Sequence, residues 1–228
     1  MSRPHEDRER HTLVDHRPGG TPAAFTVGSR LAIGIARVKA DRIDACVSAY
    51  ETLIEKAQTS NVHAGPSAVL ASKDGRRMVA LVGVHGHEGF RHLAAAWDDR
   101  HRNAQHRVIS ESVSFALYEV TAGAMEIDPA SHDAYVYERL ERPAEFTSEL
   151  FASLDASLEF HGAAILSGDG ATASAIATVI VSRFAHFADY EAFRTSRAAI
   201  DALGKAGASG DSSFAMHPHK SFASLSSR

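Results

Sequence analysis

The chain has 228 residues, 44% of them hydrophobic, and a net charge of -4, an ordinary globular balance with no basic stripe to neutralise a phosphate backbone, so nucleic acid is not an expected partner. No apolar run approaches the roughly 20 residues of a membrane-spanning helix. The opening stretch MSRPHEDRERHTLVDHRPGG lacks the apolar core of a signal peptide, which predicts a cytoplasmic protein without membrane contact. A single cysteine, Cys46, excludes an internal disulfide and argues against a thiolate metal cluster.

Residues 1–28 are polar and close on RPGGTPAA, which predicts a flexible N-terminal arm with too little to bury. From Arg30, RLAIGIARV alternates as a strand with Leu31, Ile33 and Ile35 on one face. Asp41 is the expected cap of a helix running to about Thr59, with Ile43, Val47, Tyr50, Ile54 and Ala57 on one stripe. PSAVLAS and RRMVALVGVH flank Asp74-Gly75, a strong hairpin signal. Phe90, Leu93 and Trp97 mark the buried side of a second helix, and SVSFALYEV is a fourth strand.

The same order then recurs. AYVYERL is a strand, Pro143 opens a helix burying Phe146, Leu150 and Leu154, and HGAAILSG and ASAIATVIVSR flank Asp169-Gly170. RFAHFADYEAF is a helix, and SSFAMHPHKSF is the last strand. Asp-Gly recurs after 95 residues, Phe90 pairs with Phe187 at 97 and Phe115 with Phe214 at 99. This near-constant offset predicts a tandem duplication of a βαββαβ unit, with domains at 29–125 and 133–228. A four-stranded sheet with both helices on one face leaves the other face bare. The expected fold is therefore α+β: two tandem ferredoxin-like repeats packed sheet to sheet into a pseudo-dimeric α+β barrel, as a monomer or a homodimer of such chains.

This order of elements resembles the antibiotic biosynthesis monooxygenase family of dimeric α+β barrels. In that family the third strand ends in Glu-x-Trp, followed by a helix with apolar residues three and six places later. Here His85-Gly86-His87 precedes Phe90 and Leu93, and Ser182-Arg183-Phe184 precedes Phe187 and Tyr190. The helix spacing matches in both halves while Glu-x-Trp is replaced in both, with His87 and Phe184 in the tryptophan's place. The tandem form is similar to two-domain oxygenases that tailor aromatic polyketides, including those that open the B ring of angucyclines. The resemblance implies oxygenation of an electron-rich polycyclic phenol in antibiotic biosynthesis. It implies O2 as co-substrate, with either no tightly bound cofactor or reduced flavin (FADH2 or FMNH2) supplied by a flavin reductase as partner.

Two His-x-His pairs, His85 with His87 and His217 with His219, are the expected catalytic groups. They are read as sharing a face at strand ends. Three readings stand: a metal site, pocket acid–base groups, or polar strand ends. No third ligand stands at a fixed spacing, so no metal is expected, and Pro218 is read as marking an edge strand. Histidine titrates near neutrality and can take a phenolic proton. Trp97, Tyr118, Tyr137, Arg183 and Phe184 are the expected substrate-binding residues, each with a packing or surface alternative. No phosphate-binding glycine loop occurs. Two other functions fit the same pattern: a non-catalytic small-molecule-binding or stress-responsive barrel, and a cofactor-free isomerase or cyclase.

Overall fold

A computed structural model describes residues 19–59, 64–72, 74–102, 109–131, 133–140, 160–168, 178–206 and 208–222. Two short strands come first, β1 (Gly19–Gly20) and β2 (Ala23–Thr26). The first half follows as β3 (Arg30–Val38), α1 (Ile43–Thr59), β4 (Ala64–Ser72), β5 (Arg77–Val84), α2 (Gly86–Arg102) and β6 (Ser110–Ile127). The second half contains β7 (Ala134–Leu140), β8 (Phe160–Gly168), β9 (Thr178–Phe184), α3 (Phe187–Thr195), α4 (Arg197–Ala206) and β10 (Ala208–Phe222). The helix expected from Pro143 and the turn at Asp169-Gly170 lie outside the described residues.

Each half pairs its strands in one order, β4-β5-β3-β6 and β8-β9-β7-β10, the ferredoxin-like arrangement. The halves join edge to edge through β6–β8 and β10–β4. The expected pseudo-dimeric barrel forms: the inner faces of both halves share one core, and their edges pair to close it. The physical reason is that two open sheets leave four edges of unpaired backbone groups, and joining them end to end satisfies those groups.

Period-two alternation along the strands builds two cores. Leu31, Ile33, Leu70, Val79, Leu81, Tyr118, Tyr135, Tyr137, Leu166 and Val181 fill the barrel interior. Ala32, Ala36, Val69, Ala80 and Val82 face outward, against Val47, Tyr50, Leu53 and Ile54 of α1 and Leu93 of α2. Asp41 does not cap α1. It takes a left-handed turn (φ 58°), and Arg42 accepts the first helical hydrogen bond, from Cys46 N–H at 3.0 Å. The Asp74-Gly75 hairpin forms as expected. Gly75 adopts φ 65°, and Ser72 Oγ donates to Asp74 and accepts from Arg77 N–H. That first hydrogen bond pulls the Asp74 carboxyl below its usual range. A second helix, α4, that the sequence did not suggest follows the expected helix, α3. The C-cap of α3, Ser196, has extended ψ, and its hydroxyl then accepts Ala199 N–H to start α4.

The arm expected to run to residue 28 enters the sheet at its far end. β1 pairs with β10 and β2 pairs with β6 beyond the point where β3 leaves it. Ala23 and Phe25 alternate with exposed Ala24 and Thr26, and Phe25 is buried in the barrel core. No helix among the described residues is long and apolar enough to cross a membrane.

Candidate functional site

Every neighbouring pair around the barrel is antiparallel. Hence β3, β4, β7 and β8 begin at one end, where β5, β6, β9 and β10 finish. At that end a pocket of about 420 Å³ opens between the starts of β3 and β4, the end of β5 and the β2–β3 turn. Phe25, Leu31, Pro66 and Val84 form its apolar walls, and Ser29, Arg30, His85 and Glu119 its polar ones.

Glycine shapes the floor. A Cβ on Gly83 would lie 2.7 Å from the Pro66 carbonyl oxygen and 2.8 Å from Gly65 Cα, so the two strands approach this closely only because residue 83 has no side chain. Gly86, at φ 71°, then swings the chain out of β5 into α2. His85 occupies the link between them. The Gly28 turn is fastened by Gly28 N–H to Val120 O and Val120 N–H to Ser29 O, both 2.9 Å. Arg30 and Glu119 are opposite each other across β3 and β6, with Nε 3.1 Å from Oε2.

The expected site residues distribute unevenly around this pocket. His85 lines it. His87 does not sit on the strand: β5 ends at Val84, so His87 falls in the first turn of α2 and is exposed. The shared strand face expected for this pair is absent because Gly86 breaks the extended backbone between them. His217 and His219 lie in β10, where His217 is opposite Ala71, whereas Val84, beside His85, is opposite Ala64. Seven positions of β4 separate them, roughly 23 Å of strand, and the two pairs do not meet.

Nor is β10 an edge strand, since β4 and β7 flank it. Pro218 is tolerated because β7 pairing stops at Met216, β1 pairing begins at Lys220, and the β4 register shifts between Pro218 and Lys220. Among the described residues, no three of His, Cys, Asp and Glu converge as a metal centre would require.

Tyr118 and Tyr137 are not at the pocket. Both are buried in the barrel interior, where desolvation pushes their phenols up. Phe184 is fully buried under α3, edge-on to Tyr190. Trp97 lies in α2, and its side chain is outside the described residues.

Arg183 serves the second half's counterpart of the pocket. By register, Tyr135–Arg183 in β7–β9 stands where Leu31–Gly83 stands in β3–β5. Arg183 pairs with Asp133, lies over the Tyr135 ring at 6.0 Å and reaches Glu126 O at 3.4 Å. Tyr135 in turn donates to Glu126 O and accepts Asp128 N–H. Where one half has a large side chain at this register, the other has a glycine against which the β4 backbone closes.

Ser29, Arg30 and Glu119 were not anticipated. The legible signal was Gly83 within the apolar run VALVGV, since a glycine inside a strand marks a close backbone approach.

The barrel and its open pocket define an α+β barrel of two fused ferredoxin-like halves. No family model matches the chain, and no curated protein matches it by sequence. Solved structures do share its fold. An anthrone oxidase-like protein aligns over 87% of this chain and 94% of its own, with TM-score 0.65 and 14% identity. A candidate monooxygenase from Fusobacterium nucleatum aligns over 86% and 95%, with TM-score 0.57 and 12% identity. Another from Lactobacillus acidophilus aligns over 86% and 97%, with TM-score 0.51 and 7% identity. At these identities the likeness is one of fold, and function must be argued from the site.

Proposed function

We propose that the chain is an oxygenase acting on a flat, electron-rich phenol of the aromatic polyketide type, with O2 as co-substrate and the open pocket as its active site. The observation that carries this reading is one pocket whose lining brings Phe25, Leu31, Pro66 and Val84 together with His85. A volume of about 420 Å³ is within the usual range for small-molecule sites. His85 takes the phenolic proton, and the resulting phenolate is the electron-rich form that reacts with O2. The names of the fold's relatives, monooxygenases and an anthrone oxidase-like protein, support the same class.

The pocket does not fit a flavin nucleotide alongside a substrate. No glycine-rich phosphate loop borders it. The proposed reaction accordingly routes no step through flavin.

A second reading, a non-catalytic binding barrel, is favoured by the interior, which is packed with Tyr118, Tyr135 and Tyr137. One experiment separates the two. Oxygen uptake is followed with a panel of anthrones and naphthols, with and without reduced flavin, for the native chain and His85→Gln. Turnover independent of flavin and reduced by about 10²–10⁴-fold in the variant supports the oxygenase. Ligand binding without oxygen uptake supports the binding barrel, and unchanged turnover in His85→Gln removes His85 from the chemistry.

A further inference from the structure

Two arginines serve the end of the barrel described above, and they differ in what surrounds them. Arg183 is only 20% exposed in its side chain, is paired with Asp133 and also reaches a backbone carbonyl. Its fork is committed to the protein. Arg30 is 43% exposed, lines the pocket and, among the described residues, makes one ion pair, through Nε to Glu119. A guanidinium has five N–H donors in a fixed plane. Anchoring Nε sets the plane and leaves the Nη edge available to a ligand.

Two further features of the same pocket favour negative charge. Ser29 Oγ accepts Thr26 N–H at 3.1 Å, which leaves the hydroxyl proton to donate. Gly86, also on the pocket wall, is the first residue of the 17-residue helix α2, whose N-terminal end carries positive potential. The opposing charge is Glu119, half-exposed and turned to Arg30 Nε.

We propose that the pocket takes its ligand as an anion: a flat aromatic acid whose carboxylate is held by the Nη edge of Arg30 and the Ser29 hydroxyl. This deepens the oxygenase reading, because it narrows the substrate class from phenols to phenolic acids. The carboxylate end fixes the ring system in the pocket; Glu119 orients Arg30, and its own charge opposes the anion.

The test is binding, so that it stands apart from turnover. Titration calorimetry compares 3-hydroxy-2-naphthoate with 2-naphthol for the native chain, Arg30→Gln and Arg30→Lys. The native chain is expected to prefer the naphthoate by roughly tenfold or more, as for a charge-assisted hydrogen bond. Arg30→Gln should erase that preference, lowering naphthoate affinity by the larger factor, and Arg30→Lys should keep part of it, since lysine retains the charge but not the fork. Equal affinity of the native chain for the two probes, or a preference that survives in Arg30→Gln, overturns the proposal. Naphthoate selectivity in a chain that consumes no oxygen refutes the oxygenase and leaves the anion site standing. Oxygen uptake without selectivity does the reverse.

Discussion

Phe25→Ala measures how far the N-terminal segment belongs to the barrel. Phe25 is 1% exposed and sits in the interior cluster. Removing a buried phenylalanine ring costs about 3–5 kcal/mol, part of it for the cavity left behind. Here the ring also borders the pocket, so its vacated space merges with an opening that water already reaches. That places the expected loss near the lower end, about 3 kcal/mol. In a chain of this size such a loss lowers Tm by about 6–12 °C. Urea unfolding followed by circular dichroism gives the free energy, and an unchanged m-value shows that the native state is otherwise intact. Val27→Ala, two residues on and 63% exposed, is the control and should stay within about 0.5 kcal/mol. A loss below about 1 kcal/mol for Phe25→Ala would refute the claim that β2 is part of the core.

The remaining expectations concern two other buried features. Burial pushes the Cys46 thiol from 9.0 up to about 12. Between those values the unfolded chain ionises its thiol while the folded chain keeps the proton, so stability falls as pH rises through that window. Cys46→Ala should show a shallower alkaline decline in unfolding free energy, and the native thiol should react with a disulfide reagent only once the chain unfolds. Asp133→Asn should cost about 2 kcal/mol, because it strips a partly buried guanidinium of its anion without the full penalty of a dry interior. Denaturant midpoints at constant m check this, and Arg183→Gln added to Asp133→Asn should restore part of the loss.

The sequence disclosed the elements better than it disclosed how they meet. Leu31, Ile33 and Ile35 in one half and the AYVYERL strand in the other carry their strand period openly, and α1 carries its stripe from Val47 to Ala57. Edge pairing between the halves was hidden, because it depends on backbone groups that every residue shares. The short strand at Ala23–Thr26 was hidden for another reason. Two apolar residues between glycine-rich turns give no periodicity, and Phe25 finds its place only once β6 extends past β3. At the site, the histidine spacing drew attention to the right strand end and misjudged the geometry. One glycine with positive φ separates the two histidines, both exposed, and His85 is the one that lines the pocket. Arg30 and Glu119 were invisible until register placed them opposite each other, since they are 89 residues apart.

In a barrel made from two identical chains, every substitution would appear twice, on both sides of the symmetry axis. Fusion has ended that constraint. The glycine at position 83 lets the β4 backbone close in on one side, and an arginine stands at the corresponding register, position 183, on the other. A substitution at either position alters the packing of its own half alone, and its counterpart keeps its own contacts: Arg183 holds Asp133 whatever stands at position 83.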